Sequence, residues 1–242
     1  MKTSIIFSVL IPGILAFSSC KTGNKENTAA RVQPVQKDTT IKGTENIKDV
    51  TDFILDGNVI VAKIYGDLNK DGKDDCVVLT KETDKTKFVK DEHRGVLDRN
   101  RCGLIILIYK NGSYDVVLKN PSCFSSENED GGVYYPPELS VEIKKGNLYI
   151  NYNHGRYGYW SYTFRYQNSD FEMIGYDDSD NFGPRINSEV SINYLTKKKI
   201  IKVNTNENAE GGDEVFEETI EKVNINQLTK LSEIKDFDGL DN

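Results

Sequence analysis

The stretch Asp67-Leu68-Asn69-Lys70-Asp71-Gly72-Lys73-Asp74-Asp75 constrains this chain more than any other. Oxygen-bearing side chains stand at loop positions 1, 3, 5 and 9, with a glycine at position 6. At those offsets a tight loop turns its side chains inward onto one hard cation. Asp67, Asn69, Asp71 and Asp75 would supply side-chain oxygens and Lys73 its backbone carbonyl. Gly72 permits the positive φ of the sharp turn. Position 12 is Val78, where an EF-hand needs a bidentate Glu. The flanks, 58–65 and 76–80, are short and β-branched, so a strand–loop–strand unit fits better than helix–loop–helix. Two readings follow. One is a structural calcium (Ca2+) site of modest affinity; the other is a metal-free hairpin loop, since Asp, Asn and Gly favour turns in any case.

Beyond the loop, apolar residues recur at short spacing between turn signals. Leu104–Tyr109 and Tyr114–Leu118 flank Asn111-Gly112, a strong hairpin signal. Leu139–Ile143 and Asn147–Tyr152 flank Lys144-Lys145-Gly146. In Tyr157–Tyr166, alternation sets Trp160, Tyr162, Phe164 and Tyr166 on one face and Tyr159, Ser161, Thr163 and Arg165 on the other. Further strands are expected at 171–176, 189–195, 199–203 and 215–223. The segments 81–101 and 120–137 read as long loops, the first with room for a short helix. Residues 47–55 and 224–237 read as short helices, the latter with Asn226 as its cap. The expected class is mainly β: an antiparallel meander forming a sandwich or partly rolled sheet, with one or two short helices. No internal repeat supports a propeller.

Residues 1–20 form a second constraint. Lys2 is a basic n-region, Ile5 to Phe17 is apolar, and Ser18-Ser19 precede Cys20. The apolar run is too short for a comfortable membrane span. The pattern is similar to a bacterial lipoprotein signal, with Phe17 where Leu is usual. By that resemblance residues 1–19 are removed and Cys20 is acylated; the alternative is an ordinary secretion signal. Lys21 rather than Asp follows the cysteine, which favours the outer membrane. Residues 20–46 are polar and read as the lipidated Cys and a flexible tether, and 47–242 as one β-rich domain. The formal charge of −7 becomes −8 after residues 1–19 are removed, a balance that argues against nucleic acid as a partner.

Three further cysteines remain in a compartment that permits disulfides. Pairing about Asn111-Gly112 sets Cys102 opposite Pro121, within two residues of Cys123, so Cys102–Cys123 is the favoured bridge and Cys76 a buried thiol. The alternative leaves all three as buried thiols. No CxxC pair is present.

No G-x-S-x-G or H-E-x-x-H occurs, and His93 and His154 are the two histidines. No catalytic residue is assigned. Asp177-Asp178-Ser179-Asp180 is a second acidic cluster, read as a solvated connection between strands rather than a cation site. Tyr157 and Tyr159 define a possible binding face for sugar or peptide.

The loop with its following apolar strand resembles the calcium loop of FG-GAP or VCBS-type repeats, present once. The larger pattern, with Leu104-Ile105-Ile106-Leu107, Asn111-Gly112-Ser113-Tyr114, Asn153-His154-Gly155 and Trp160–Tyr166, is similar to a family of bacterial secreted proteins and lipoproteins of unknown function. The resemblance covers about 58–203 and implies Asp67, Asn69, Asp71 and Asp75 as metal ligands, with no activity to carry over.

The expected function is therefore a lipid-anchored, non-enzymatic envelope module. It would be held to the membrane through its acyl chains and bind an unknown protein or polysaccharide. The alternatives are an immunity-type inhibitor of a toxin or hydrolase, whose acidic surface would occlude a basic active site, and a hydrolase pairing Asp177 or Asp178 with a Glu across a cleft.

Overall fold

A computed structural model describes residues 49–126, 137–238 and 240, which lie within one compact unit, Glu45–Asn242. The expected signal peptide (1–19), lipidated Cys20 and tether lie outside the described residues, as does 127–136 of the loop expected at 120–137.

Among the described residues, thirteen strands run β1 (Asn58–Gly66), β2 (Asp75–Glu82), β3 (Phe88–Asp91), β4 (Gly95–Asp98), β5 (Cys102–Lys110), β6 (Ser113–Phe124) and β7 (Glu138–Lys144). They continue as β8 (Asn147–Asn153), β9 (Gly158–Gln167), β10 (Asp170–Phe182), β11 (Arg185–Asn193), β12 (Lys198–Asn204) and β13 (Phe216–Lys222). Strands β1-β2-β5-β6 form one sheet, β7 through β13 form a seven-stranded meander in chain order, and β3-β4 is a separate hairpin. The strand pairings within these sheets are antiparallel. The mainly-β expectation holds, with a sandwich-like arrangement of open sheets. The turns explain the hairpins of both sheets: Asn111-Gly112 in the smaller, and Lys145-Gly146 and Asn168-Ser169 in the meander, all sit at positive φ, the type I′ geometry whose twist matches antiparallel strands.

The main core lies between the two large sheets. Val77, Leu104, Ile106 and Leu118 from the smaller sheet meet Leu148, Ile150, Tyr162 and Phe164 from the larger. The other face of the smaller sheet is also covered. Val50 and Phe53, in a 3-10 turn capped by Asp49, pack on Cys76, Val78, Ile105 and Leu107. Burial on both faces explains why β2 and β5 read as continuous apolar runs rather than alternating ones.

Four expectations are corrected. Residues 224–237 form no helix beyond the 3-10 turn Leu231–Glu233. The buried Asn120 amide donates to the carbonyls of Leu231 (3.0 Å) and Ile234 (2.6 Å), and Phe237 stacks on Phe124 with centroids 5.2 Å apart. Tertiary contacts, not helical ones, thus hold this tail as a plug on the core. Residues 81–101 are not structureless, since they hold β3 and β4 around a buried Asn100. The Asp177–Asp180 cluster is not a connection; it lies inside β10.

The fourth correction is the Cys102–Cys123 disulfide: both residues are thiols, as is Cys76. The β5–β6 register follows the turn from Lys110↔Ser113 to Leu107↔Val116, then slips twice, so that Cys102 pairs with Phe124. The second slip falls at Pro121, which has no N–H to give the ladder. There a Cβ on Gly103 would fall 2.1 Å from the Pro121 carbonyl carbon. Burial pushes the Cys123 thiol up to about 12.

Candidate functional site

Two regions carry the residues singled out in the sequence. The first is the 67–75 loop. Asp67 Oδ1 and Asn69 Oδ1 both accept from the Asp71 amide, at 3.1 and 2.9 Å. Asp67 Oδ2 accepts from Gly72 N (2.9 Å) and Asp71 Oδ1 from Lys73 N (2.9 Å). Asp67, Asn69 and Asp71 are therefore turned inward on one short run of backbone, with Gly72 at φ +82.

Asp75 is fully buried. Its Oδ2 accepts from Leu68 N (2.8 Å) and Asn69 N (3.3 Å), and its Oδ1 accepts from Tyr109 N on β5 (2.9 Å). Three of the roughly four lone-pair sites of a carboxylate are thus engaged, and the residue pins the loop to the sheet. Burial pushes its carboxyl up from the usual range, while the three amides pull it down. Among the described residues, no three acidic, His or Cys side chains gather closely enough to hold a metal ion. The oxygens of Asp67, Asn69 and Asp71 with the Lys73 carbonyl fit a hard-cation donor set by chemistry, and the amides pre-order the loop that would carry them.

The second region is the outward face of the seven-stranded sheet. Leu148, Ile150, Tyr152, Tyr162 and Phe164 point to the core, so the alternate positions of β8 and β9 face away from it. Tyr159 is 44 % exposed, whereas Phe164 is 0 % exposed. The expected division of the aromatic segment is thus realised. Tyr157 is exposed as well but belongs to a 3-10 turn, Gly155–Tyr157, with its ring 5.0 Å from His154. It is not part of the strand surface that carries Tyr159.

Tyr159 walls a shallow depression of about 200 Å³ with Asp177, Asp178, Glu189, Val190, Ser191, Ile200 and Lys202. Cross-strand register builds it. Tyr159 pairs with Ser179, Ser179 with Glu189 and Glu189 with Lys202, while Ser161 pairs with Asp177, Asp177 with Ser191 and Ser191 with Ile200. The Ser191 hydroxyl donates to Asp177 Oδ1 (2.7 Å), and Lys202 bridges Glu189 at 3.2 Å. Burial, then the carboxylates of Asp177, Glu189 and Asp178, push the Tyr159 phenol up from its ordinary value.

Asp178 points to the opposite face, in the row of Trp160 and Val190. Burial raises its carboxyl, against the Tyr176 hydroxyl that donates to it at 3.4 Å. The structure therefore sets Asp177 beside Tyr159, and strand alternation turns Asp178 to the other face although both border the depression. Sequence reasoning missed Glu189, Ser191 and Lys202. Their signal was the alternation of 185–193 and 198–204, legible only once Asp177 was placed within a strand.

His93 donates its amide to Asp91 in the β3–β4 turn, and His154 sits beside Tyr157 and Trp160; neither lines the depression. Among the described residues no helix is long and apolar enough to cross a membrane. No protein-family model, curated protein or solved structure matches the chain.

Proposed function

We propose that this chain is a lipid-anchored, non-enzymatic binding module of the bacterial envelope, tethered through Cys20 at the outer membrane. Its first long turn takes one structural Ca2+ ion, and a protein or polysaccharide is recognised by the outward face of the large sheet. One observation carries the recognition part: Tyr159 stands 44 % exposed on that face and walls the depression. The lipoprotein-like N-terminus and the likeness of the loop to FG-GAP or VCBS repeats support the remainder.

In the calcium-bound protein, Asp67, Asn69, Asp71 and the Lys73 carbonyl hold the ion, and Asp75 chiefly keeps the loop shut. The ion neutralises the clustered charge and stabilises the β1–β2 connection. A thermal melt with Ca2+ against excess EDTA tests this part. An ion bound only to the native state raises the melting temperature, by the equivalent of about 2.7 kcal/mol at a hundredfold excess over Kd, and Asp71→Ala removes the difference. Equal melting with and without EDTA would discard the ion. A pulldown from native envelope, with and without chelator, tests the binding part; turnover of glycans, esters or peptides by purified protein would defeat it.

A second reading, a carboxylate-dependent hydrolase, is favoured by one fact: Asp177 and Glu189 line the same depression as diagonal neighbours on adjacent strands. Against it, Glu189 is paired with Lys202 and Asp177 accepts from Ser191, and the depression lies on an open sheet. Release of reducing ends from polysaccharide, lost in Asp177→Asn, would establish it.

A further inference from the structure

The outward positions of β8 are Asn147, Tyr149, Asn151 and Asn153, and those of β9 are Tyr159, Ser161, Thr163 and Arg165. Charged residues make up 29 % of the chain, yet these two strands present one charged side chain. That side chain, Arg165, donates to Asn147 Oδ1 at 3.1 Å. The register extends a polar row sideways, although β7 beside it also presents Glu138, Glu142 and Lys144. Ser140, Asn151, Ser161, Asp177 and Ser191 form one unbroken row across five strands, β7 to β11.

Members of the row are already hydrogen-bonded along it. The Ser161 hydroxyl donates to Asn151 (2.6 Å) and that of Ser191 to Asp177 (2.7 Å). Two tyrosines flank the row. Tyr159 stands opposite Asn153, and Tyr149 lies four residues further along β8, about 13 Å at the rise of a strand.

We infer that this face binds an uncharged polysaccharide, with sugar rings stacked on Tyr159 and Tyr149 and hydroxyls hydrogen-bonded to Asn151, Asp177 and Ser191. This rests on the reading of the chain as a binding module and names its ligand. A sugar ring has an apolar C–H face and an equatorial belt of hydroxyls that each need a donor or acceptor. Flat aromatics separated by a row of amides, hydroxyls and a carboxylate meet both needs. The near-neutral surface matches a neutral chain, whereas an anionic one would meet the Asp177 and Glu189 carboxylates. A protein partner fits less well, because protein interfaces are depleted in Ser, Asp and Glu and built around buried apolar anchors. An open face grips its ligand from one side only, so the affinity is modest and rests on the tyrosines.

Native gel electrophoresis of the full chain through hydroxyethyl cellulose, laminarin or dextran tests the inference, with polygalacturonate as the anionic control. At least one neutral glucan slows the wild type. Tyr159→Ala then loses roughly tenfold or more in affinity, the scale of a removed aromatic anchor, while Tyr159→Phe keeps it. Asn151→Ala with Ser191→Ala weakens it, and Val61→Ala, exposed on the other sheet, leaves it unchanged. Retardation by none of the neutral glucans, with no reducing ends released, overturns the inference, as does stronger retardation by polygalacturonate or an unaffected Tyr159→Ala. Reducing ends are measured in the same samples. Hydrolysis there defeats the binding-module reading while leaving the face as a glycan site; absence of both retardation and hydrolysis defeats the glycan and leaves a module for another ligand.

Discussion

The two halves of the seven-stranded sheet are made alike and held differently. Strand β8 buries every second residue, and β9 buries Tyr162 and Phe164, against the smaller sheet, with Leu148, Ile150 and Phe164 each 0 % exposed. In β13 every residue is exposed, and in β12 none is fully buried. Backbone ladders and tight turns are common to both halves, so they cannot account for the difference. Apolar burial supplies the stability of the first half, at about 1.5–3 kcal/mol for each large side chain taken out of water. The second half depends on its ladder and on cross-strand pairs such as Lys202–Glu189, which contribute a few tenths of a kcal/mol to about 1. Its outer strand carries Glu217, Glu218 and Glu221, charges that discourage a second sheet from pairing with the edge.

The sharpest test of this contrast is truncation at matched positions. Phe164→Ala should cost about 3–5 kcal/mol in urea unfolding. Ile220→Ala, 56 % exposed in β13, should stay within about 0.5 kcal/mol; equal costs would break the comparison. Hydrogen exchange should follow the same line. The β12 and β13 amides should exchange through local opening, well before those of β8 and β9, which await near-global unfolding.

Thiol chemistry sharpens the packed side. With no reductant, iodoacetamide should leave Cys123 unmodified in the native protein and alkylate it after unfolding, as read by peptide mass. Its thiol is buried and pushed up to about 12. Failure to alkylate it even after unfolding would restore the disulfide.

The smallest effect concerns Glu172, bonded by Gln167 and by Asn168 (3.1 Å) where β10 meets Lys230. These donors hold its carboxyl below the ordinary 4.5. A lowered folded value means that the unfolded chain binds the proton more readily. The contribution is therefore present above pH 4.5 and lost as pH falls through the folded value. The Tm gap between wild type and Glu172→Gln should accordingly close on acidification from pH 7 to 3; a constant gap would assign the effect to packing instead.

Much of the fold was legible because local chemistry and tertiary structure agreed. The turns at Asn111-Gly112 and Lys145-Gly146 fixed hairpins, and alternation in 157–166 divided Tyr159 from Trp160 correctly. Disagreement arose where long-range contacts overrode local preference. Asp177–Asp180 is poor strand sequence, yet β9 and β11 pair with it on both sides. Residues 224–237 carry helical spacing, but Asn120 and Phe124 claim the tail. The expected thiol pair failed on two register slips that no turn rule reports.

The amino-acid sequence alone determined the β class, the hairpin turns, the inward-facing oxygens of Asp67, Asn69 and Asp71 and the core side of the aromatic segment. Those depend on φ preferences, side-chain reach and a period of two, all properties of short stretches. Only tertiary structure decided that Asp177, Glu189, Ser191 and Lys202 would join Tyr159, and that Asp75 would turn both oxygens to amides of the loop and β5. Such neighbours come from strands up to 43 residues apart, and their meeting is set by ladder register, which sums every turn and bulge between them.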